Sequence, residues 1–401
     1  MVKTMNKLEQ LIKELCPNGV EWKTLGEVAE LKRGRVMSKE YLVENSGTYP
    51  VYSSQTANNG EIGKIATFDF DQETVTWTTD GANAGTVFHR VGKFSITNVC
   101  GLIVLRNAQK LSYKFLYYWL TIEAKKYVYS GMGNPKLMSN QVSKIQIPIP
   151  PLPVQLEIVR ILDNFTELTA ELTAELTARK KQYEYYRDEL LTFGDDVEWK
   201  TLGEIFEFKN GINKAKEFFG IGQPIINYTD VFKNKKLFKE GINGKVVTNQ
   251  SDIDRFGCKK GDVFFTRTSE TIEEIGYSAV LLSDISACVF SGFLIRARPI
   301  TNLLLPQYCA YCFSSSNMRK MIIASSNMTT RVTTTGTIIS KILIAIPPLS
   351  EQQRIVAILD KFDTLVNDIS QGLPAEIEMR TKQYEYYRNK LLSFSKIEVE
   401  V

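Results

Sequence analysis

The stretch TELTAELTAELTAR, from Thr166 to Arg179, repeats a four-residue unit in the middle of a 401-residue chain. Four residues are close to one helical turn, so the repeat predicts a helix with leucine along one face. Around it, apolar residues recur every seven residues, with a second set four residues further on, which is the spacing of a coiled coil. The two sets are Ile158, Phe165, Leu172 and Tyr186, and Leu162, Leu176, Tyr183 and Leu190. Only Thr169 and Arg179 interrupt this seam, so the segment predicts a long coiled-coil helix.

Segments on both sides of this helix occur twice, in the same order. They are VEWKTLGE at Val20 and Val197, IPPL with a helical pattern at Ile149 and Ile346, and KQYEYYR at Lys181 and Lys382. The offsets are 177, 197 and 201 residues, which indicates a duplicated unit. The regions between, about 16–147 and 194–344, share little beyond their ends. A repeated frame with divergent contents is expected when two modules do one job on two targets.

The second helical segment follows the same rule as the first but is interrupted. Its seam residues are Ile355, Leu359, Phe362, Val366, Ile369 and Leu373. Ser350 as N-cap, with Gln353 three residues on, predicts the start of the helix. Its spacer is 19 residues long against 15 in the first copy, and the four-residue insertion falls near Gly372 and Pro374. We therefore expect one continuous and one interrupted helix.

A short amphipathic helix near the N-terminus, with Leu8, Leu11, Ile12 and Leu15 on one face, occupies the place before the first variable region. The chain forms a closed ring if the two long helices pack antiparallel and the termini meet. The predicted class is α/β (α+β): two globular regions of mixed strands and short helices, separated by an antiparallel coiled coil with pseudo-twofold, circularly permuted organisation. The predicted domains are residues 1–147, 148–193, 194–345 and 346–401.

Composition sets limits on the class of protein. With 43% hydrophobic and 23% charged residues, the chain can bury real cores. It has no signal-peptide pattern and no apolar run that approaches the roughly 18 residues of a membrane span, so we expect a cytoplasmic protein with no membrane partner. Six scattered cysteines include one CxxC, at Cys309 and Cys312, which we interpret as core thiols. The single histidine, His89, lies in a strand pattern and is interpreted as half-buried, and no metal site is predicted.

Two strand patterns open into polar loops that suit nucleic-acid contacts. ETVTWTTDGANAGTVFHR in the first variable region and GDVFFTRTSETIEEIGYSAVLL in the second carry different polar sets at matching places. Side chains of these types read base edges, and the basic segments before each IPPL suit phosphate contacts. The candidate DNA-binding residues are Thr79, Asp80, Asn83, Lys136, Lys144, Arg267, Thr268, Ser269, Arg331, Thr333 and Lys341. Solvated turns or loops explain any single one of them equally well, and the net charge of +4 permits DNA binding without demanding it.

The paired frame, the TAEL spacer and TRTSETIEEIG resemble the DNA-specificity subunit of type I restriction-modification systems, over essentially the whole chain. The resemblance implies two target-recognition domains, each reading half of a split site in double-stranded DNA. It also implies a helical frame that docks modification subunits, two of them because the helical surface occurs twice, together with restriction subunits. Catalysis and its cofactors, S-adenosylmethionine, ATP and Mg, are then expected in the partner subunits, with no cofactor in this chain.

The spacer has a geometric interpretation. A four-residue unit lengthens a helix by ~6 Å and rotates its end by roughly 40° relative to a whole turn. Along B-DNA, ~6 Å is about one to two base pairs at about 3.4 Å each. The repeat number therefore predicts the gap between half-sites, while a passive linker helix is the alternative.

Two other classes of protein are weighed against this interpretation. A DNA methyltransferase needs a cofactor loop and an Asn-Pro-Pro-aromatic motif, but the proline pairs here follow Ile and precede Leu. No GxxxxGK[ST] phosphate loop is present either, so we predict a non-enzyme. A coiled-coil scaffold that joins partner proteins without touching DNA remains the alternative function.

Overall fold

A computed structural model describes residues 2–131, 133–328, 331–368 and 370–397. The chain divides into two compact units. Unit 1 comprises Met1–Leu172 and Ile377–Val401, and unit 2 comprises Thr173–Glu376. Each unit therefore takes one half of the long middle helix and a segment from the C-terminal part of the chain.

The elements of the first half follow in chain order. They are α1 (Val2–Leu15), β1 (Glu21–Thr24), α2 (Leu25–Val28), β2 (Ala29–Arg33), α3 (Lys39–Glu44), β3 (Ser46–Tyr52), β4 (Glu61–Ile65), β5 (Phe70–Asp71), β6 (Thr74–Thr78), β7 (Val87–Arg90), β8 (Lys93–Ile96), β9 (Cys100–Leu105), α4 (Tyr113–Glu123), α5 (Ser139–Val142), β10 (Gln146–Ile149) and α6 (Leu152–Leu190).

The second half repeats the order of the frame elements but differs between them, with both additions and losses. Its elements are β11 (Glu198–Thr201), α7 (Leu202–Ile205), β12 (Phe206–Asn210), β13 (Phe219–Ile226), α8 (Tyr228–Lys233), β14 (Lys236–Leu237), β15 (Lys245–Val246), α9 (Gln250–Phe256), β16 (Val263–Thr266), β17 (Thr268–Ser269), β18 (Ser278–Leu281), β19 (Val289–Phe290), β20 (Leu294–Pro299), α10 (Pro306–Ser314), α11 (Ser316–Ser325), β21 (Asn327–Met328), β22 (Val332–Thr333), α12 (Gly336–Ile339), β23 (Leu343–Ile346), α13 (Leu349–Asn367) and α14 (Leu373–Leu391).

Each unit is built on a sheet with the same strand order. Unit 1 has β2-β9-β6-β7 and a second sheet β4-β3-β8-β5; unit 2 has β12-β20-β16-β18-β14 and a second sheet β15-β13-β19. Every residue of β6 and β16 is buried, which fits their place inside the sheet. The strand β14 is an addition to unit 2 and pairs in parallel with β18. The predicted mixed class, with two repeated strand-rich regions and long helices, is confirmed.

The repeated sequence segments form the same frame in both units. VEWKTLGE supplies β1 and β11, which pair antiparallel with β10 and β23 in one register: Glu21 lies opposite Ile149, and Glu198 opposite Ile346. In both copies a threonine and a glutamate form a capping box for the short helix that follows. The frame is therefore duplicated down to its hydrogen bonds.

A buried glutamine joins each strand-rich region to its long helix. The Gln155 amide donates to Lys110 O and Pro150 O, both at 2.7 Å, and its Oε1 accepts from Ser112 N at 2.9 Å. Gln352 repeats these contacts with Leu303 O at 2.8 Å, Pro347 O at 2.9 Å and Leu305 N at 2.8 Å. Both side chains are fully buried. Three satisfied bonds allow a polar amide to stay in each core.

A tyrosine–aspartate contact also recurs on each helix. Tyr118 OH donates to Asp163 at 2.8 Å, and Tyr311 OH donates to Asp360 at 2.5 Å. A lysine completes each cluster, but Lys114 lies on α4, whereas Lys236 lies on the added strand β14. Burial raises the pKa of both tyrosines, which therefore stay protonated donors.

The prediction of one continuous and one interrupted helix is confirmed. Helix α6 runs unbroken for 39 residues, whereas α13 ends at Asn367 and α14 begins at Leu373. A Cβ on Gly372 would lie 2.3 Å from the Thr364 carbonyl oxygen, so this tight turn requires glycine. The expected seam residue Ile369 lies outside the described residues.

The predicted start of the second helix is wrong. Helix α13 begins at Leu349, after Pro348, so Ser350 lies inside the first turn instead of capping it. A proline with extended ψ already ends the preceding strand segment, and the helix follows it at once. Pro348, and not Ser350, is therefore the N-cap residue of α13.

The coiled-coil seam is buried at its ends and half-exposed in its middle. Ile158, Leu162, Phe165, Ile355 and Leu359 are buried, as predicted. Leu172, Leu176 and Phe362 are half-buried. Leu168, in the repeat, is 44% exposed, so the TAEL segment is the least covered part of the helix.

Helix pairs form within each unit. In unit 1 the Phe165 ring stacks on Tyr387 at 5.5 Å, and the Phe394 ring lies 6.1 Å from Phe115, which is near the start of α6. The end of α14 therefore lies beside the start of α6, as the antiparallel prediction requires. In unit 2 the Tyr186 ring stacks on Phe362 at 5.9 Å.

The N-terminal and C-terminal segments of the described chain meet within unit 1, as the prediction of meeting termini requires. Val20 N donates to Ser395 O at 3.0 Å, and Ile397 N donates to Val20 O at 3.3 Å. Helix α1 packs Leu8 into the same core as the C-terminal Leu391 and Leu392. Leu15, expected on the apolar face, is 44% exposed instead.

Threonines of the repeat bond back to the helix backbone. Thr166 Oγ1 donates to Leu162 O at 3.0 Å, Thr169 Oγ1 to Phe165 O at 2.9 Å, and Thr177 Oγ1 to Thr173 O at 2.9 Å. Each hydroxyl therefore finds an acceptor one turn earlier in its own helix.

The cysteine and histidine interpretations are confirmed. Cys309 and Cys312 are buried on α10, and burial raises the pKa of both thiols, Cys312 to about 12. His89 lies in β7 with a 19% exposed side chain, and its Nε2 lies 2.8 Å from Glu73 Oε1. Among the described residues, no group of three or more His, Cys, Asp or Glu side chains could hold a metal ion, and no helix is long and apolar enough to cross a membrane.

Candidate nucleic-acid interface

The polar loop of unit 1 connects two paired strands, as predicted. Strand β6 ends at Thr78 and β7 begins at Val87. Gly81 and Gly85 have φ values of 85° and 82°, which lets the chain turn back without strain. Thr78 Oγ1 donates to Asn83 O, which fixes the loop from its base. The loop is therefore a defined turn that presents Asp80 and Asn83.

The second predicted segment of unit 1 pairs with this loop. Leu137 N donates to Thr79 O at 2.9 Å, and Gly81 N donates to Pro135 O at 3.0 Å. Lys136 Nζ lies 3.8 Å from Asp80 Oδ1, with both side chains partly exposed. Two segments whose paired residues are 54 to 58 positions apart in sequence thus form one polar tip.

Unit 2 builds its tip on the same backbone contacts. Thr334 N donates to Arg267 O at 3.0 Å, and Thr268 pairs with Thr333 between β17 and β22. Arg331 Nη2 lies 3.9 Å from Glu270, and both side chains are largely exposed. Residues 329 and 330 of this segment lie outside the described part of the chain. The predicted Arg267, Thr268, Arg331 and Thr333 are therefore brought together.

Two of the proposed base contacts require correction. Thr79 is fully buried and Ser269 is 6% exposed. Thr79 Oγ1 donates to Asp80 Oδ2 at 2.5 Å, and Ser269 Oγ accepts from Thr271 N at 3.2 Å. Both hydroxyls stabilise the conformation of their loops. They point into the protein and are therefore not available to contact base edges in a DNA groove.

Lys144 and Lys341 lie elsewhere. Both are exposed, in the turns just before β10 and β23. In each turn the preceding serine carbonyl accepts from a frame glycine, Gly26 N at 2.9 Å and Gly203 N at 2.8 Å. These lysines belong to the repeated frame, and the structure shows no contact between them and the polar tips in the described ranges.

Sequence reasoning missed Arg33. Its Nη2 donates to Asn98 O at 2.7 Å and to Thr79 Oγ1 at 3.3 Å, which places a half-exposed guanidinium at the tip of unit 1. The available signal was the repeat itself, because LKRG follows VEWKTLGE at the same distance as FKNG follows its second copy. The arginine thus stands where the other copy has Asn210.

The loop at residues 53–60 was also missed. Asn58 and Asn59 have φ values of 48° and 55°, a conformation that asparagine tolerates better than most residues. Arg90 Nη2 donates to Asn59 O at 2.6 Å, and the Arg90 guanidinium lies 3.6 Å from the Tyr52 ring centroid. Ser54 Oγ donates to Val99 O, which ties the loop to the tip. The loop that carries the exposed Asn58 and Asn59 is thus anchored to the Val99 carbonyl, which also accepts from Thr79 N.

The tip of unit 2 carries an aromatic side chain instead. Phe293 is 63% exposed, and its carbonyl accepts from Arg267 N at 3.0 Å. The equivalent carbonyl in unit 1, that of Val99, accepts from Thr79 N at 3.1 Å. One backbone position thus bears a half-buried valine in one unit and an exposed phenylalanine in the other.

A half-buried arginine supports the loop of unit 2. Arg319 donates to the carbonyls of Gly276 at 2.7 Å, Ile275 at 2.7 Å and Glu273 at 2.9 Å. Its guanidinium also lies 4.6 Å from the centroid of the Tyr277 ring. Burial lowers the pKa of Arg319, and the three carbonyl oxygens compensate the lost hydration. The loop is therefore preorganised.

Comparisons with known proteins agree with this geometry. Residues 17–179 and 194–379 each match the family model of the type I restriction modification DNA specificity domain. The type I restriction enzyme EcoR124I/EcoR124II specificity subunit of Escherichia coli is 33% identical over 98% of this chain and 99% of that protein. A putative type I specificity subunit of Mycoplasma pneumoniae is 32% identical over 92% of this chain and 96% of that protein.

Solved structures show the same fold. The S subunit of a type I restriction-modification system from M. genitalium has a TM-score of 0.54 at 16% identity, over 95% of this chain and 97% of that one. A chain from a study of complex assembly and conformational transition of a type I system has a TM-score of 0.63, also at 16% identity, over 94% of this chain and 98% of that one.

Proposed function

Because the chain belongs to the family of type I restriction-modification DNA specificity subunits, we propose that each of its units reads one half of a split DNA site and that the helices set the gap. Membership of the family assigns it sequence-specific DNA recognition within a restriction-modification complex, as a non-catalytic subunit. It also disfavours a scaffold that never touches DNA.

One observation supports the division of labour. Unit 1 presents Asp80 and Lys136, and unit 2 presents Thr268 and Thr333, at matching backbone positions. A constant scaffold with exchanged tip side chains is what two readers of different sequences require, because base edges are distinguished by donor and acceptor pattern.

The continuous helix α6 is proposed as the ruler. Removing one TAEL unit shortens it by ~6 Å, close to the rise of two base pairs. Leu168 and the neighbouring repeat residues are largely exposed, so the length of this segment is not fixed by a packed core.

The partners are proposed to dock on the repeated helix surface. Tyr185 and Tyr386 are equivalent residues of the KQYEYYR copies and are 64% and 62% exposed. Exposed tyrosine at equivalent places of two helices offers two equal contacts, and aromatic side chains often anchor interfaces. We expect two modification subunits per chain, with restriction subunits joining that complex.

The stoichiometry has a direct test. The mass of the complex formed with saturating modification subunit, measured by native mass spectrometry, is expected to show two copies. Tyr185→Ala and Tyr386→Ala should each remove one copy, with Tyr129→Ala as an exposed control. One copy bound to the unaltered chain contradicts the two-surface model.

The reaction chemistry is proposed to belong to the partners. S-adenosylmethionine, ATP and Mg²⁺ are expected to bind the modification and restriction subunits in the cytoplasm. Calorimetry of the purified chain with S-adenosylmethionine should show no binding, whereas its complex with the modification subunit should bind it.

The central experiment compares methylation patterns. Cells expressing the chain with its modification subunit are sequenced for methylated adenine, with the full spacer and with residues 173–176 deleted. A split motif whose gap shortens or whose methylation disappears on deletion, with the half-site bases kept in any surviving motif, supports the proposal. A complex that forms but yields no split motif in either version refutes it.

A further inference from the structure

The last residue of the first core strand has a defined setting in unit 1. Arg33 ends β2 and lies opposite Gly101 of β9, which in turn lies opposite Trp77 of β6. The loop with Asp80 begins just after this point. A Cβ on Gly101 would lie 2.2 Å from the Trp77 ring, so the glycine makes room for the tryptophan.

Unit 2 repeats this setting with another side chain. Asn210 ends β12 and lies opposite Ile295 of β20, which lies opposite Phe265 of β16. The two strand positions are related by the 177-residue offset of VEWKTLGE. Arg33 and Asn210 are therefore structural equivalents by register and by sequence.

A glycine fixes the backbone after each of them. A Cβ on Gly34 would lie 1.9 Å from Ile96 O, and one on Gly211 would lie 2.2 Å from Ser291 O. Such close backbone approach holds the preceding residue in place. The backbone of this position is therefore the same in both units, and only its side chain differs.

The Arg33 guanidinium is oriented by the protein. Nε and Nη2 donate to Asn98 O at 3.2 and 2.7 Å, and Nη2 also donates to Thr79 Oγ1 at 3.3 Å. Among the described residues, Nη1 donates only to the Met138 sulfur, at 4.0 Å, a weak acceptor. One edge of the guanidinium is thus anchored, and the Nη1 donors remain for a ligand at the tip.

Asn210 lies beside the reading loop of unit 2. It is exposed, and the following Gly211 N donates to Leu294 O at 3.3 Å. The neighbouring Phe293 carbonyl holds Arg267 N, so the amide stands next to the predicted contacts.

We propose that this one position selects a base in each half-site: Arg33 a guanine and Asn210 an adenine. This inference rests on the proposed function, because it assigns a contact within the split site. Arginine donors match the O6 and N7 acceptors of guanine, and an asparagine amide matches the N6 and N7 of adenine. The position is thus a specificity-determining one.

The test exchanges the two residues one at a time. Arg33→Asn and Asn210→Arg chains are each expressed with the modification subunit, and their methylated motifs are sequenced. Arg33→Asn is expected to lower discrimination for one guanine in one half-site by about 5- to 150-fold, and Asn210→Arg to alter one adenine in the other. The remaining bases and the gap should stay unchanged.

A neighbouring lysine provides the matched control. Lys32 precedes Arg33, its side chain lies on the opposite face of the strand, and it is 44% exposed. Lys32→Asn removes the same charge, so its motif should equal that of the unaltered chain. Equal loss of discrimination in Lys32→Asn overturns the assignment, because charge alone then explains it.

The outcomes separate the inference from the proposed function. No split motif with the unaltered chain refutes the function; a split motif that both exchanges leave unchanged overturns the inference alone. A half-site of unit 1 without a guanine–cytosine pair also overturns the Arg33 assignment. If Arg33→Asn abolishes methylation, binding of purified Arg33→Met to duplexes changed at each base decides, because methionine has no hydrogen-bond donor: retained guanine preference overturns the assignment, and its loss supports it.

Discussion

The frame and the tips of the two units differ in how much they repeat. Gln155 and Gln352 make the same three hydrogen bonds, and β1 and β11 keep the same register. By contrast, Arg33 in unit 1 corresponds to Asn210 in unit 2, and Val99 corresponds to Phe293, although the backbone at these positions matches. Duplication thus preserved what joins each unit to its helix and released what faces outward, so recognition can change without a change of fold.

The largest expected effect tests whether the two helix pairs are equal. Phe165 is 5% exposed, whereas Phe362 is half-buried. Phe165→Ala should cost about 4 kcal/mol of unfolding free energy, and Phe362→Ala about 2 kcal/mol, because the first leaves the larger cavity. Urea unfolding of each variant measures both. Equal losses contradict the asymmetry.

Alanine at the repeated strand-end glycines should damage both units alike. Gly34→Ala and Gly211→Ala force a Cβ into a backbone carbonyl and should each cost about 3 kcal/mol and weaken DNA binding. Gly241→Ala is the control, since nothing lies within 4 Å of its Cβ position. A strong effect in only one unit breaks the equivalence on which the Arg33 assignment depends.

The buried glutamines should also be interchangeable in their effect. Gln155→Leu and Gln352→Leu each leave two carbonyls and one N–H without a partner, at a cost of about 2 kcal/mol. Thermal unfolding measures the loss, which should agree between the variants within about 0.5 kcal/mol. Glutamate at either site should destabilise further, since it buries a charge.

The smallest expected effect distinguishes the units by pH. Hydrogen bonding to Arg160, with a further bond to Lys7, lowers the pKa of Glu157, whose side chain is 4% exposed. Because the pKa is lowered in the folded state, the ionised Glu157 stabilises the fold at pH values above the ordinary glutamate pKa of 4.5. This stabilisation is lost as the pH falls through the pKa of the folded state. The amides of α1 should then exchange faster, as hydrogen-exchange mass spectrometry measures.

A matched control removes this titration. In the Glu157→Gln variant, the amides of α1 should exchange at one rate from pH 6 to about pH 3, after correction for intrinsic exchange. Unit 2 has Arg354 at the equivalent place, where it pairs with Glu351 at 2.7 Å, and this pair also lowers the pKa of Glu351. The Glu351 side chain is 34% exposed, so solvent screens the pair and the start of α13 should show a smaller acid dependence. Equal acid sensitivity at both helix starts contradicts the pairing described for Glu157.

The frame was predictable from sequence because repeats and heptads are local signals. VEWKTLGE, IPPL and KQYEYYR located the joints, and Gly372 with Pro374 located the break between α13 and α14. The tips were harder to predict from sequence. Thr79 is buried because its backbone pairs with residues about 20 and 60 positions away in the chain. Arg33 was missed because its role depends on Asn98 and Thr79, which only the folded sheet brings near.

The threonines of the TAEL stretch have an evolutionary consequence. Because the hydroxyls of Thr166, Thr169 and Thr177 bond one turn back within their own helix, a four-residue block carries its own hydrogen bonding. A twelve-nucleotide duplication or loss in the coding sequence therefore inserts or removes a block without leaving a polar group unsatisfied. Replication slippage could thus generate a heritable new spacing in a single step, while both reading surfaces are inherited intact.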